Sequence, residues 1–114
     1  MKLPNGDCAL VPMCKLVGYC LNTNHSTGKH KARVFSSVLG ITISNPEKLE
    51  ALVKIAAVEG EVVRQFDTNF GQQFKVDWTV PNSEDIKGNP VILPTIWEIA
   101  SGGSCPRLVS AFVK

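Results

Sequence analysis

Two histidines and three cations lie close together in one short segment of the chain: His25, Lys29, His30, Lys31 and Arg33. Imidazole exchanges protons near neutral pH, so it can serve as a base or an acid. A set of histidine, lysine and arginine without paired carboxylates suits metal-free cleavage of RNA. In that reaction a base activates the ribose 2′-hydroxyl, and cations stabilise the charge that gathers on the phosphate. The ordinary alternative is a solvated surface with no chemical role.

The charges of this segment conflict with those of an ordinary helix. Apolar spacing predicts a helix over residues 29–39 that ends at Gly40, and Lys31 projects into the middle of its apolar side. The first turn of a helix is partly positive, so the cations there lower helix stability unless an anion binds. We therefore expect a phosphate near this helix terminus. The alternative is that Lys31 extends its ammonium to solvent.

The remaining elements are predicted from hydrophobic period and turn residues. Residues 12–21 show a helical apolar stripe, and residues 44–47 signal the start of a third helix that ends near Gly60, with Ser44 and Glu47 at the spacing of a capping box. The period then changes to two, and the predicted strands cover residues 73–80, 95–100 and 107–113, with 8–11 as a candidate fourth strand. Residues 81–90 are predicted to be a loop, and Pro94 is expected at a strand start or a sheet edge.

Helices followed by antiparallel strands indicate an α+β fold. We expect two to three N-terminal helices packed on one face of a three- to four-stranded antiparallel sheet, with residues 1–114 forming one domain. The chain is 44% apolar and 19% charged, which is typical of a folded globule and excludes a disordered or collagen-like chain.

Charge is distributed unevenly along the chain, although the net charge is only +2. Residues 1–43 contain five cations and one carboxylate, whereas residues 44–114 contain seven cations and nine carboxylates. Neither a secretory apolar region nor a stretch long enough to span a membrane is evident. The sequence therefore predicts a soluble, cytoplasmic protein with no membrane association.

The four cysteines are Cys8, Cys14, Cys20 and Cys105. They include no C-x-x-C pair and no Cys/His spacing of a zinc site. We expect all four thiols to be reduced and mostly buried, with no structural metal. Dinucleotide, Walker-type and metalloprotease motifs are also missing, so no cofactor is predicted.

The strand aromatics offer a second kind of RNA contact. Phe74, Trp78 and Trp97 have rings that could stack on bases, although alternating aromatics in strands are more often core residues. Trp97 lies next to Glu98 and is the better candidate for a cleft wall. The predicted RNA-binding set is Lys29, His30, Arg33 and Trp97.

Three stretches of the chain resemble a small bacterial family of uncharacterised domains: residues 2–7, residues 21–40 and residues 97–111. Members of that family occur alone or as C-terminal domains of phage head and toxin proteins. More distantly, helices followed by a sheet that ends in Trp…Arg-Leu-Val-Ser-Ala resemble the superfamily of barnase, EndoU, colicin D and RelE-type RNases.

The distant resemblance implies catalytic cations or histidines on the N-terminal helices and a hydroxyl or arginine on a late strand. Carried over by motif, it assigns His25, Lys31, Arg107 and Ser110 as catalytic residues. Arg107 and Ser110 are three residues apart, so in a regular strand they face opposite sides of the sheet. Both can reach one cleft only if Arg107 precedes the strand or a bulge intervenes.

The sequence thus favours a metal-independent RNase-like domain, toxin-type, that attacks RNA through the 2′-hydroxyl. Its expected partners are RNA and a small acidic immunity or antitoxin protein. The alternative is a non-catalytic interaction module of the same fold, which binds a protein or nucleic acid through the basic surface of the predicted helix at residues 29–39.

Overall fold

Four β-strands form one antiparallel sheet in the computed structural model of the chain, and their order in space follows their order in sequence. The strands are β1 (Glu61–Thr68), β2 (Gly71–Glu84), β3 (Pro90–Ala100) and β4 (Arg107–Ala111). The structure describes residues 1–21, 29–84 and 87–113, and for residues 19, 29–31 and 82 it describes the backbone alone. β1 and β4 are the two edge strands.

Three helical segments precede the sheet within the described residues. α1 begins with an α-helical turn, Met13–Lys15, and continues as a wider π-helical turn, Leu16–Cys20. α2 likewise begins as an α-helix, Lys29–Val34, and ends in a π-helical turn, Phe35–Leu39. α3 is the α-helix Pro46–Glu59. A short 3₁₀ turn, Gly6–Cys8, comes before them. In the described part of the chain, no helix is long and apolar enough to cross a membrane. The predicted α+β class and the numbers of helices and strands are confirmed.

The predicted end of α2 at Gly40 is confirmed. Gly40 has φ 67°, the left-handed conformation that glycine adopts without strain. Its N–H donates to the Ser36 carbonyl at 3.1 Å, and the Ile41 N–H donates to the Phe35 carbonyl at 3.2 Å. These bonds satisfy carbonyls that the end of a helix would otherwise leave unpaired.

The start of α3 differs from the predicted capping box. Asn45, not Ser44, is the residue that precedes the helix, and no side chain caps the first turn. The Asn45 amide is used elsewhere, because its Oδ1 accepts the Thr42 N–H at 2.7 Å and its Nδ2 donates to the Gly40 carbonyl at 3.1 Å. The side chain thereby holds the α2–α3 connection together.

The core lies between the helices and one face of the sheet. The alternation predicted for β2 is confirmed: Phe74, Val76, Trp78 and Val80 are all buried. They form one apolar cluster with side chains from all three helices, among them Leu16, Phe35, Leu49 and Val53. The residues that alternate with them, such as Lys75 and Asp77, lie on the other face, which we call the open face because its side chains do not join this cluster.

The strand boundaries extend beyond the predicted ones. β1 escaped prediction because most of its side chains are exposed and no apolar alternation marks it. β2 continues to Glu84 and β3 begins at Pro90, so residues 81–84 and Pro90 of the predicted 81–90 loop belong to strands. Residues 8–11 form no regular strand, although Leu10 makes a single parallel bridge to Arg107.

Pro94 lies inside β3, an interior strand, and not at its start. Its carbonyl accepts the Phe112 N–H at 3.1 Å, one residue past the end of β4. The backbone N and O atoms of one strand residue point to the same neighbouring strand, so the Pro94 nitrogen points to the same place as its carbonyl, which is Phe112. Because Phe112 lies past the end of β4, the N–H that proline lacks would not belong to the ladder, and no bond of the ladder is lost.

The prediction that all four cysteines are reduced is wrong. Cys8 and Cys105 form a disulfide, with their Cα atoms 5.4 Å apart and 97 positions apart in sequence. Cys14 and Cys20 are not part of this disulfide; the Cys14 thiol is exposed and the Cys20 thiol is buried. Short spacings between cysteines in the sequence can indicate a metal site, but they cannot indicate a disulfide between the two ends of the chain. This disulfide depends on how the N-terminal segment packs beside β4.

Candidate functional site

Arg107 is the first residue of β4 and is exposed. Its backbone lies between two neighbours. On one side it pairs with Glu98 of β3. On the other side, the Leu10 N–H donates to the Pro106 carbonyl at 2.8 Å and the Leu108 N–H donates to the Leu10 carbonyl at 2.9 Å. Arg107 therefore has a backbone fixed from both sides and a side chain that reaches solvent.

A bulge in β4 decides which side chains accompany Arg107. Ile96 pairs with Ser110, whereas the next residue of β3, Trp97, pairs with Leu108, so Val109 is the extra residue. The bulge therefore turns Arg107 and Ser110 to the same face, the open face. Their partners on β3 are two positions apart, which separates the two Cα atoms by about 7 Å along the strand. The bulge that the sequence required for the two side chains to share a face is therefore present, and Ser110 is not among the residues that line the cleft beside Arg107.

A cleft of about 490 Å³ runs beside Arg107. Lys15 of α1 contributes a second cation to its lining, and Glu98 contributes a carboxylate. The Glu98 Oε2 accepts a hydrogen bond from the Gln73 side chain at 3.3 Å. Within the part of the chain that the structure describes, neither Lys15 nor Arg107 forms an ion pair. The cleft thus offers two cations to an anionic ligand.

Sequence reasoning did not single out Lys15. The predicted cation cluster lies between residues 29 and 33, and Lys15 stands alone in its helix. Its neighbour in the cleft is 92 positions away in the chain, so only the tertiary fold joins them. The available signal was weak: Lys15 lies off the apolar stripe of the first predicted helix.

Most of the predicted histidine–lysine cluster cannot be placed. His25 lies outside the described residues, and for Lys29, His30 and Lys31 the structure describes only the α2 backbone. Whether His25 and Lys31 approach Arg107 stays a prediction. Arg33 is exposed on α2, on the side away from the buried Ala32 and Phe35. The Arg33 side chain is therefore accessible to a ligand from solvent.

Ser110 lies on the open face but is largely covered, with a relative exposure of 7%. Lys75 lies in the same row across the sheet, because it pairs with Ile96, which pairs with Ser110. The Lys75 ammonium is 5.8 Å from the centre of the Phe112 ring, within range of a cation–π contact. The open face therefore carries a further cation near the pair that the bulge brings together.

The prediction that Trp97 stacks on a base is wrong. The ring is fully buried, and it faces the helices because Trp97 lies on the same face of the sheet as its β2 partner Phe74. Its indole N–H donates to the Thr95 hydroxyl at 2.8 Å, and that hydroxyl donates to the Val76 carbonyl at 3.3 Å. Trp97 is a core residue, and Phe74 and Trp78 are buried as well.

A second, apolar groove of about 640 Å³ lies between α3 and the far end of β2. Its floor includes Trp78 and Val80, and its helical wall includes Leu52 and Ile55. In its described lining, the charged residues are Lys48 and Glu59. The described lining of the groove therefore holds one cation, whereas that of the cleft beside Arg107 holds two, so the cleft is the better candidate for binding a phosphate.

Comparison with known proteins supports the fold and names the family. No curated protein matches the chain. A chain of a contact-dependent growth inhibition toxin–immunity protein complex from Klebsiella pneumoniae 342 is similar in structure, with a TM-score of 0.63 and 12% identity over 92% of this chain and 99% of that chain. At that identity the likeness concerns the fold. The family model of a domain of unknown function, DUF6883, matches residues 2–114, and the chain therefore belongs to the DUF6883 family.

Proposed function

We propose that this chain is a toxin-type, metal-independent RNase whose partner is a small acidic immunity or antitoxin protein. The observation that carries the proposal is the β4 bulge, which turns Arg107 and Ser110 to one face of the sheet beside a cleft that Lys15 also lines. The shared fold with a chain of a toxin–immunity complex supports the toxin-type part. The RNase part depends on the chemistry of the side chains.

The proposed reaction needs a base and a cluster of cations. His25 removes the proton of the ribose 2′-hydroxyl, whose oxygen attacks the adjacent phosphorus while the 5′-oxygen leaves with a proton. A 2′,3′-cyclic phosphate and a 5′-hydroxyl result. Lys31 and Arg107 stabilise the charge on the phosphorane. Ser110 supplies a hydroxyl at the edge of this site.

The remaining cations bind the RNA without reading its sequence. Lys29, His30 and Arg33 steer the strand through its phosphates, and Lys15 adds a contact from the far wall of the cleft. The same cations explain why the expected protein partner is acidic. A partner with the opposite charge would be attracted to this surface and would cover the cleft.

A second function is favoured by one observation. The described lining of the cleft contains two cations and a carboxylate but no histidine. A non-catalytic module that binds a protein or a nucleic acid through the basic surface of α2 needs only the cations. This function and the RNase function share the same surface and differ in turnover.

Incubation of the purified protein with total tRNA and rRNA in EDTA tests both. The RNase proposal expects cleavage products with cyclic phosphate ends, and it expects the loss of cleavage in His25→Ala/His30→Ala and in Arg107→Gln. Arg64→Gln is the matched control, because Arg64 is exposed on β1, the opposite edge strand. RNA binding without cleavage would support the interaction module, and cleavage that survives the Arg107 change would refute the assigned site.

A further inference from the structure

β1 is an edge strand that the described residues leave largely uncovered. Its first part is protected, because the Met1 carbonyl accepts the Val62 N–H at 2.8 Å and a bulge follows at Val63. From Arg64 to Thr68, no described residue outside the sheet makes a backbone hydrogen bond to the strand. Natural proteins usually protect such an edge with charged side chains, lysine above all, with proline or with a covering segment; residues 64–68 contain no proline and no lysine, and their two charges, Arg64 and Asp67, have opposite signs.

The exposed edge also carries an apolar side chain. Phe66 is 44% exposed in the middle of the uncovered segment. Phe70 is 74% exposed, but it belongs to the turn between β1 and β2 and not to the strand. A phenylalanine at the centre of an unpaired edge is the arrangement that favours pairing with another strand.

The hairpin fixes which backbone groups point outward. Thr68 and Gly71 are paired across a two-residue turn, so they form a hydrogen-bonded pair. Bonded and non-bonded pairs alternate along an antiparallel ladder. Phe66 is therefore bonded to β2, whereas Gln65 and Asp67 direct their N–H and C=O groups away from the sheet.

We propose that this edge pairs with the same edge of a second copy of the chain, antiparallel, around a two-fold axis at Phe66. In that register Gln65 lies opposite the partner's Asp67 and Asp67 lies opposite the partner's Gln65. The four outward groups of each copy then have partners, which gives four backbone hydrogen bonds in all. Phe66 faces the partner's Phe66 at the close, non-bonded position of the ladder.

The side chains are complementary to themselves in this register, which is why a second copy fits better than a foreign strand. Arg64 lies opposite the partner's Thr68 and diagonal to the partner's Phe66, within reach of its ring. Gln65 lies opposite the partner's Asp67, whose Oδ1 accepts from its own Gln72 at 3.2 Å and whose Oδ2 can accept the amide. No like charges face each other. The inference stands apart from the proposed chemistry, because β1 and β4 are opposite edges.

Sedimentation equilibrium over a range of concentrations tests the proposal. We expect a monomer–dimer equilibrium for the unchanged chain. Phe66→Lys should raise the dissociation constant by about tenfold or more, because two lysines would then meet at the axis. Gln65→Pro should do the same by removing an outward N–H from an edge position that tolerates proline. Phe70→Lys, the same change four residues away, should leave the equilibrium unaltered.

A disulfide reports the register. In a Cys14→Ser background, which removes the exposed free thiol, Phe66→Cys should give a covalent dimer on mild oxidation, because the facing Cα atoms would be about 4.5 Å apart. Phe70→Cys should not. Three results would overturn the proposal. The first is a chain that stays monomeric at millimolar concentration, and the second is a dimer whose dissociation constant is unaltered by the Phe66 and Gln65 changes. The third is a chain that pairs only with the strand of another protein.

Discussion

Replacing Cys8 and Cys105 with serine should lower the free energy of unfolding by several kcal/mol. The two cysteines are 97 positions apart, so the disulfide closes nearly the whole chain into a loop. Loop-closure entropy for a loop of that size amounts to about 5 kcal/mol in the unfolded state. Measured values for native disulfides fall mostly in the range of about 2–4 kcal/mol, because the unfolded chain is more compact than the entropy estimate assumes. We therefore expect a loss of about 3 kcal/mol.

Urea unfolding followed by far-ultraviolet circular dichroism measures the loss. The oxidised protein, the reduced protein and Cys8→Ser/Cys105→Ser should be compared, and the last two should unfold at the same midpoint. Cys14→Ser is the matched control, because that thiol is exposed and free and its loss removes no cross-link. The control should unfold with the oxidised protein.

Two results would refute this reasoning. A thiol titration of the denatured, unreduced protein should count two thiols, those of Cys14 and Cys20; a count of four would show that the pair does not form. A midpoint that is unchanged by reduction would show that the cross-link closes no loop that matters to the unfolded state. A loss confined to the double serine variant would indicate damage to local packing, not loss of the cross-link.

Three further predictions concern the core, the N-terminal contact and the cleft. Thr95→Val should cost about 1–3 kcal/mol, because it leaves a buried indole N–H and a buried carbonyl without their hydroxyl partner; thermal unfolding measures it. A hydrogen bond from Lys2 lowers the pKa of Glu61, so this contact persists at neutral pH and is lost as the pH falls through that lowered pKa. In an NMR titration, Lys2→Gln should raise the Glu61 midpoint. Replacing Lys15 and Arg107 with glutamine should flatten the log–log salt slope of RNA affinity by about 1.4.

Each of these has a control and a contrary outcome. Thr79→Val changes an exposed threonine on β2 and should leave the unfolding temperature nearly unaltered; an equal loss at both sites would contradict the hydrogen-bond account. If the titration midpoint of Glu61 is the same in Lys2→Gln as in the unchanged protein, the lowered pKa of Glu61 has another cause. For the salt slope, Lys54→Gln with Arg64→Gln removes two exposed cations far from the cleft. A slope that responds equally to both pairs would indicate a diffuse charge effect and no site.

The elements predicted most accurately are those for which the apolar spacing and the residues at the ends of the element indicate the same boundaries. α2 and its end were predicted correctly because the apolar spacing stops at Gly40, and glycine readily adopts the left-handed conformation that ends a helix. The long alternation from Phe74 to Val80 identified both the strand and its buried face. α3 was located correctly, although the residue before it proved to be Asn45, since a single side chain can serve a loop as readily as a cap.

What the sequence missed depends on contacts between distant segments. β1 has little apolar alternation because most of its side chains are exposed, so its position depends mainly on backbone pairing with β2. The Cys8–Cys105 pairing and the meeting of Lys15 with Arg107 join the two ends of the chain, and no local pattern encodes either. Trp97 was assigned to a cleft wall from its neighbour Glu98, but alternation places those two residues on opposite faces.

The bulge at Val109 shows how one extra residue links fold and site. Without it, Arg107 and Ser110 would face opposite sides, and Leu108 could not face the helices while Ser110 remained on the open face. Burial of Leu108 and Ala111 on the core side therefore fixes the bulge from within the fold.

The backbone of Arg107 is restrained by the fold before any ligand binds. β3 holds one side, the Leu10 hydrogen bonds hold the other, and the disulfide at Cys105 joins the segment that carries Leu10 to the turn before β4. A side chain on a fixed backbone loses less entropy when it binds a phosphate than one on a mobile loop does. Reduction of the disulfide should therefore weaken anion binding in the cleft more than it weakens binding to Arg33, which is carried by α2 and has no part in that cross-link.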